Sequence, residues 1–302
     1  MKLKVLLVLA VVIALVIFYP PARLSALALT GRSPECPLAK AVKSDENLKI
    51  QIRYKDEILA ASKLVKTDPA GYELYETPDG PYWIPAGSKY VLPFNLAEEK
   101  RDIYGTGKRA VQPGDTVLDC GANVGVFVRK SLKLGAKKII AIEPAPENLE
   151  CLRRNFKNEI EAGQVVVYPK GVWDKDDVLT FNVDPLNSAA DSFVIKREGS
   201  HTIQVPLTTI DKLVDELKLE RVDFIKMDIE GAEPNALRGA KATLQKFEPR
   251  MSISVYHEPD HPVTVPKTAR EAVPSYKTEC GPCAEEKNYS VRPDIMYLFT
   301  KE

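Results

Sequence analysis

The chain has 302 residues, 44% hydrophobic and 28% charged, which is enough apolar material to bury a sizeable core in one large or two modest domains. Lys plus Arg equals Asp plus Glu at 42 each, so no global field draws polyanions, and the absence of a clustered basic stripe argues against a nucleic-acid partner. Five cysteines in a chain of this length do not make a disulfide scaffold, and they neither demand nor exclude an oxidising compartment.

Lys2 and Lys4 precede an unbroken apolar run from Val5 to Phe18, closed by Tyr19, Pro20 and Pro21. A spanning helix needs about 17–25 such residues, and with Leu3, Tyr19 and snorkelling lysines the run reaches the lower limit. It predicts an uncleaved single-pass membrane anchor over residues 1–20. The alternative is a cleaved signal peptide and a secreted product, because Ala26-Leu27-Ala28 fits the small-x-small rule. From Thr30 to about Ala86 the sequence is polar, punctuated by proline and weakly periodic. A short helix within Leu48–Val65 and strands at Tyr72–Tyr75 and Tyr82–Ile84 are expected there. Residues 21–99 read as a polar stalk and N-terminal cap, and residues 100–302 as the main domain.

After Pro113-Gly114-Asp115 the pattern changes. Thr116–Cys120 reads as a buried strand entering a glycine-rich loop, followed by a helix over Val126–Leu134 and a second strand at Lys138–Glu143. Pro146 suits the first turn of a helix running to about Phe156. Val165–Tyr168 is a third strand, and Val178–Val183 is expected to pair in a hairpin with Gly171–Trp173. Thr208 opens a further helix, with Asp211 three residues later in a capping-box-like start. Val222–Asp228 is a strand, Pro234–Phe247 a helix, and Met251–His257 and Ile295–Thr300 are the last strands. Strands alternating with helices of this length predict an α/β fold with a mostly parallel sheet covered on both faces.

The first strand of that domain runs into VLDCGANVG, Val117 to Gly125, where glycines let backbone approach a ligand beyond the strand ends. Glu143 ends the second strand 22 residues after Gly121, where a carboxylate would hold ribose hydroxyls. The pattern is D-x-G-x-N-x-G and not the G-x-G-x-x-G of a dinucleotide site. Asp119 would face a pyrophosphate, and two like charges about 4 Å apart cost a few kcal/mol at intermediate dielectric. S-adenosylmethionine has no phosphate and carries an ammonium and a sulfonium, so the same carboxylate suits it. Asp174, beyond the third strand, is a candidate for the adenine amino group or equally a solvated turn residue.

A second motif, KMDIEGAE, spans Lys226 to Glu233 and crowds Asp228, Glu230 and Glu233 at a strand's carboxyl end, the functional rim of an open parallel sheet. Glu233 reads most simply as a first-turn residue favoured by the helix dipole. VLDCGANVG, IEPAPENLECLRRN, TTIDKL and KMDIEGAEPNALRGA together resemble the FkbM family of methyltransferases over roughly residues 100 to 260. The resemblance implies a class I methyltransferase (Rossmann-like) fold, S-adenosyl-L-methionine as cofactor, and O-methylation of a hydroxyl on a sugar, glycan or polyketide-like acceptor. It carries over Asp119, Gly121, Asn123, Gly125 and Glu143 as cofactor contacts and Asp228, Glu230 and His257 as rim residues. Family members often have Glu just before the histidine that ends the next strand, whereas here Val255 and Tyr256 precede His257.

His257 is a candidate general base, because an alcohol must lose its proton as it attacks the methyl carbon. The spacing of His257, Glu258, Asp260 and His261 fixes no coordination geometry, so no metal is assigned. Cys280-Gly281-Pro282-Cys283 stands late in the chain in a polar loop, outside the strand–helix setting of a redox motif, and reads as free thiols or an optional loop disulfide. The reading is a membrane-anchored O-methyltransferase; its rival is a non-catalytic binding module that keeps the fold.

Overall fold

The computed structural model describes residues 2–183 and 201–301. It opens with α1 (Lys2–Phe18), α2 (Pro20–Leu29), a single turn α3 (Leu38–Ala41) and the long α4 (Ser44–Ala61). The 17 residues of α1, at 1.5 Å each, extend about 25 Å, short of a hydrocarbon core of about 30 Å. No helix among the described residues is long and apolar enough to cross a membrane, so the expected spanning anchor is not supported. The helix breaks at Tyr19, which is extended (φ −115°, ψ 101°) because the residue before a proline is driven out of the helical region, and Pro20 then starts α2.

The segment read as a polar stalk and N-terminal cap packs against the rest of the chain. Leu24 of α2 is fully buried, and the Arg23 guanidinium donates two hydrogen bonds to the Glu285 carboxylate at 2.7 and 2.8 Å. Cys36 forms a disulfide with Cys283 across 247 residues, so the loop cysteine pairs with the N-terminal segment and not with Cys280, which is a buried free thiol. Strands β1 (Lys63–Asp68), β2 (Tyr72–Thr77) and β3 (Gly80–Pro85) form an antiparallel sheet, followed by α5 (Val91–Lys100). Ile58 of α4, Tyr82 and Ile84 of β3, and Leu92, Leu96 and Ala97 of α5 bury against Val124, Val126 and Cys151. This N-terminal layer thus seats directly on the glycine-rich loop and the helix that follows it.

The remaining strands are β4 (Thr116–Cys120), β5 (Lys138–Ile142), β6 (Val165–Tyr168), β7 (Gly171–Val172), β8 (Asp177–Val183), β9 (His201–Thr208), β10 (Phe224–Met227), β11 (Arg250–Ser254), β12 (Lys277–Cys280), β13 (Cys283–Glu285), β14 (Val291–Pro293) and β15 (Ile295–Phe299). The helices between them are α6 (Val126–Lys133), α7 (Pro146–Asn155), α8 (Lys157–Glu161), α9 (Ile210–Glu216), α10 (Glu233–Arg238), α11 (Lys241–Phe247) and α12 (His261–Ala272). Seven strands form the central sheet in the order β12-β15-β11-β10-β4-β5-β6. The pairs from β11 through β6 are parallel, and β15 runs antiparallel to both its neighbours. The order reverses between β4 and β10, and at such a switch point the strand ends diverge to leave a crevice.

Side-chain alternation explains why the sheet is covered on both faces. Leu118, Ile140, Ile225 and Ile253 enter one core, while Val117, Ile139, Ala141 and Phe224 enter the other. Two connections differ from expectation. The edge sheet has the order β7-β9-β8: Gly171–Val172 pairs in parallel with β9, and β8 pairs antiparallel with β9 and not with β7. The helix expected over Pro234–Phe247 breaks into α10 and α11 at Gly239, where an added Cβ would lie 2.0 Å from the Trp173 carbonyl oxygen. Thr209, one residue later than expected, caps α9 by accepting the Lys212 N–H, and Asp211 instead accepts the Ala242 and Thr243 N–H groups at the start of α11.

The Cys36–Cys283 bond closes most of the chain into one loop, and removing such a bond costs about 2–5 kcal/mol. Reductant, or Cys36→Ser, should therefore lower the melting temperature by several degrees, while Cys280→Ser has no such effect under oxidising conditions. Thermal unfolding with and without reductant is the check.

Candidate functional site at the switch point

The site begins with a charge inside the sheet. Lys226 on β10 stands beside Asp119 on β4 in the parallel register. Its ammonium lies 3.3 Å from Asp119 Oδ1 and donates to the Gly121 carbonyl at 2.9 Å, with both side chains buried. Burial opposes the charge of Lys226, but Asp119, Asp228 and Glu99 outweigh it and hold the ammonium above its ordinary value. Burial in turn pushes Asp119 up. The Asp119 charge is thus answered by Lys226 from within the protein.

Gly121 ends β4 with φ +80°, and an added Cβ would sit 1.9 Å from the Asp228 carbonyl oxygen. The glycine therefore serves to bring two motifs together: the VLDCGANVG loop lies against the DIEGAE turn. Asn123 adopts the left-handed region (φ +49°), which asparagine tolerates, and its N–H donates to Glu143 Oε2 at 2.8 Å. Gly125 then caps α6. The other oxygen of Glu143 accepts from Ala145 N–H at 2.9 Å. Burial pushes the Glu143 carboxyl up to about 7, although the Ala145 and Asn123 N–H groups favour its ionised form. Oε1 also accepts from the Asn148 amide at 3.5 Å, so a ribose diol would share the carboxylate with the protein's own donors. Asp174 behaves differently. It is exposed beyond β7 on the edge sheet and faces Arg238 at 3.7 Å, in keeping with a solvated turn residue.

Asp228, Glu230 and His257 come together as expected. His257, in the loop after β11, places Nε2 at 3.2 Å from Asp228 Oδ1 and 3.5 Å from Glu230 Oε1. Tyr104 OH donates to Asp228 Oδ2 at 2.8 Å, and Tyr256 OH to Oδ1 at 3.4 Å. Burial raises Asp228, yet the His257 contact, the Lys226 charge and the Tyr104 hydroxyl together leave its carboxyl well below the usual range. Of the rim carboxylates, Asp228 keeps 19% of its side chain exposed, Glu230 13% and Glu233 none. Asp228 and Glu230 are the rim carboxylates open to an incoming molecule, Asp228 the more so.

Sequence reasoning missed several members of this site. Glu233 is more than a first-turn residue: its oxygens accept the Ile229 and Gly231 N–H groups at 3.0 and 3.1 Å, and Oε1 lies 2.8 Å from His257 Nδ1. Burial lowers His257, but Glu233, Asp228 and Glu230 around it raise the imidazole well above its ordinary value. Lys226 was visible only as a lone cation in the apolar strand FIKM. Tyr104, 124 residues from Asp228 in sequence, carried no local signal.

The chain matches the methyltransferase FkbM domain over residues 119–278, more than half its length. It belongs to that family. Among relatives, the 2-O-methyltransferase NoeI of Sinorhizobium fredii is 28% identical over 153 residues, covering 45% of this chain and 61% of that protein. The hexuronic acid methyltransferase AglP of Haloferax volcanii is 26% identical over 131 residues, covering 43% and 52%. Methyltransferase 1 of Beauveria bassiana is 27% identical, covering 42% and 59%. The match thus spans between a half and three fifths of these relatives' own lengths. The solved FkbM methyltransferase of Methylobacillus flagellatus overlies 85% of the chain and 60% of its own, at 16% identity and a TM-score of 0.47.

Removing one member of a buried ion pair strands the other, at about 3–5 kcal/mol. Lys226→Met should therefore destabilise the protein by that amount, and the double variant Lys226→Met/Asp119→Asn should recover much of the loss. Urea unfolding of the two variants measures it; equal destabilisation in both would mean that the pair is not what holds the loop.

Proposed function

We propose that this FkbM-family protein is an S-adenosylmethionine-dependent O-methyltransferase whose acceptor is a hydroxyl of a sugar, glycan or similar small molecule. The observation that carries the reading is the juxtaposition, through Gly121 and Asp228, of an acidic glycine loop with a polar rim at the switch point. Such a crevice is where open parallel sheets bind ligands. Glu143, held by the loop N–H groups of Asn123 and Ala145, is the acceptor for the ribose hydroxyls. The names of two relatives, a 2-O-methyltransferase and a hexuronic acid methyltransferase, support a sugar hydroxyl as the acceptor.

S-adenosylmethionine, when bound, supplies an electrophilic methyl on sulfur. Asp228 is the group that meets the acceptor hydroxyl, because it is the most exposed rim carboxylate and is fixed by Tyr104 and Tyr256. It accepts the hydrogen bond of the hydroxyl and aligns its oxygen on the methyl carbon, and the proton passes to solvent as the new C–O bond forms. His257 has both nitrogens turned to carboxylates and presents no lone pair to an acceptor, so it positions Asp228 and is not the base. Most of the acceleration comes from aligning oxygen, methyl and sulfur. The disulfide, which forms where thiols are oxidised, supports action in an oxidising compartment.

The purified chain should bind S-adenosylmethionine and its demethylated product by calorimetry, and NAD weakly or not at all. Glu143→Ala should weaken that binding by about 1.5–3 kcal/mol, the value of hydrogen bonds to a charged acceptor. Hydroxyl donors favour the ionised carboxylate, so binding below pH 7 must first expel a proton from Glu143. Affinity should rise with pH, by up to about tenfold per unit, and level off above 7. The same group makes the unliganded fold lose stability as pH rises from its ordinary 4.5 to about 7, since the unfolded carboxyl ionises first. A flat affinity profile from pH 5.5 to 8 would remove Glu143 from the cofactor site.

Asp228→Asn should lower turnover on a responsive sugar acceptor at least a hundredfold while changing cofactor affinity less than threefold. Transfer of a labelled methyl group to a panel of uronic acids and glycans reads the first, and calorimetry the second. Cofactor binding without transfer to any hydroxyl compound would favour the non-catalytic binding module.

A further inference from the structure

Beneath the rim lies a second cluster that methyl transfer does not require. Glu233 is wholly buried, and among the described residues its ion-pair partners are His257 and His261, with no lysine or arginine. Oε1 stands 2.8 Å from His257 Nδ1 and Oε2 3.4 Å from His261 Nδ1. The three ligand atoms that these side chains offer all lie within 4.8 Å of one another. The histidine side chains are 2% and 5% exposed, and His261 Nδ1 is buried without a hydrogen-bond partner. A lone buried donor or acceptor costs about 1–3 kcal/mol, so an orphaned His261 nitrogen beside a buried carboxylate calls for a missing partner.

We propose that Glu233, His257 and His261 bind one divalent transition-metal ion of the zinc type. Two imidazoles and a carboxylate are a borderline nitrogen–oxygen set, which suits zinc and its neighbours better than the all-oxygen shells of magnesium or calcium. Bonds of about 2.0–2.1 Å in a tetrahedral shell set ligand atoms about 3.3 Å apart. The two carboxylate–imidazole separations, 2.8 Å to Oε1 and 3.4 Å to Oε2, lie on either side of that value, and with all three ligand atoms within 4.8 Å the set closes on an ion by side-chain adjustment. Binding at His257 Nδ1 displaces the proton between this nitrogen and Glu233 to solvent. The ring then keeps its Nε2–H, directed at Asp228 and Glu230. Carboxylates behind a metal-bound imidazole commonly fix its tautomer and orientation in this way.

The three ligands come from different parts of the chain: the start of α10, the loop after β11 and the start of α12. The ion therefore cross-links the Val255–His261 loop to the DIEGAE turn and sets the position of Asp228 from behind. Its burial keeps it out of reach of an acceptor, so its role is positioning and not Lewis-acid chemistry. Sequence spacing alone did not reveal the set, because Glu233 is 24 residues from His257.

The test uses the full chain, stripped with dipicolinate and titrated with zinc against a chromophoric chelator. Binding of one equivalent is expected, with affinity at least a hundredfold lower in His261→Ala and Glu233→Gln. Circular dichroism and S-adenosylmethionine calorimetry show whether each variant is folded. If neither variant folds, cobalt(II) added to the wild-type chain decides: intense tetrahedral visible bands support the site, and the weak spectrum of hydrated cobalt overturns it. Absence of saturable zinc binding, or equal affinity in a folded His261→Ala variant, also overturns it. Zinc stoichiometry is read without methyl donor or acceptor, so its failure is separate from that of the methyl-transfer reading.

Discussion

The arrangement of the site depends on one buried ion pair. Lys226 is a cation in the middle of an apolar sheet, tolerable only because Asp119 on the neighbouring strand and the Gly121 carbonyl surround its ammonium. Buried pairs of this kind add little net stability, since desolvation offsets most of the attraction, but they penalise any arrangement that separates them. Here the penalty keeps the ends of β4 and β10 in register, and these are the strands from which the glycine loop and the acidic turn emerge.

From that pair the rest follows by contact. Gly121, lacking a side chain, lets the loop close onto the Asp228 backbone, and Asn123 in the left-handed region turns its N–H toward Glu143. Glu233 takes the N–H groups of the turn on one side and the two histidines on the other. Asp228 is left at the surface of this network with two tyrosine hydroxyls fixing it. The N-terminal layer completes the frame, because α4, β3 and α5 bury their apolar faces on the loop and the start of α6.

The candidate site was legible where chemistry is local. Asp119, Gly121, Asn123, Gly125 and Glu143 fall in two short strand-to-loop passages, and all but Asp174 of the expected cofactor residues meet at one end of the sheet. Asp228, Glu230 and His257 likewise meet. Tyr104 and Tyr256 could not be placed in advance, because a hydroxyl that touches a carboxylate from 124 or 28 residues away leaves no periodic trace. The role of Glu233 was hidden for another reason. An acidic first-turn residue is so common that its identity carries no information until the histidines are seen beside it.

By itself the sequence determined six of the seven central strands, β12 being read as polar loop, and the alternation that buries the sheet on both faces, since each follows from residue type and period over a few positions. It also determined the motif residues that bind backbone closely. Tertiary structure alone decided that Cys36 and not Cys280 joins Cys283, that β9 lies between β7 and β8, and that the N-terminal segment packs onto the loop. These are long-range pairings, settled by which surfaces bury together, and a local pattern contains no term for that competition.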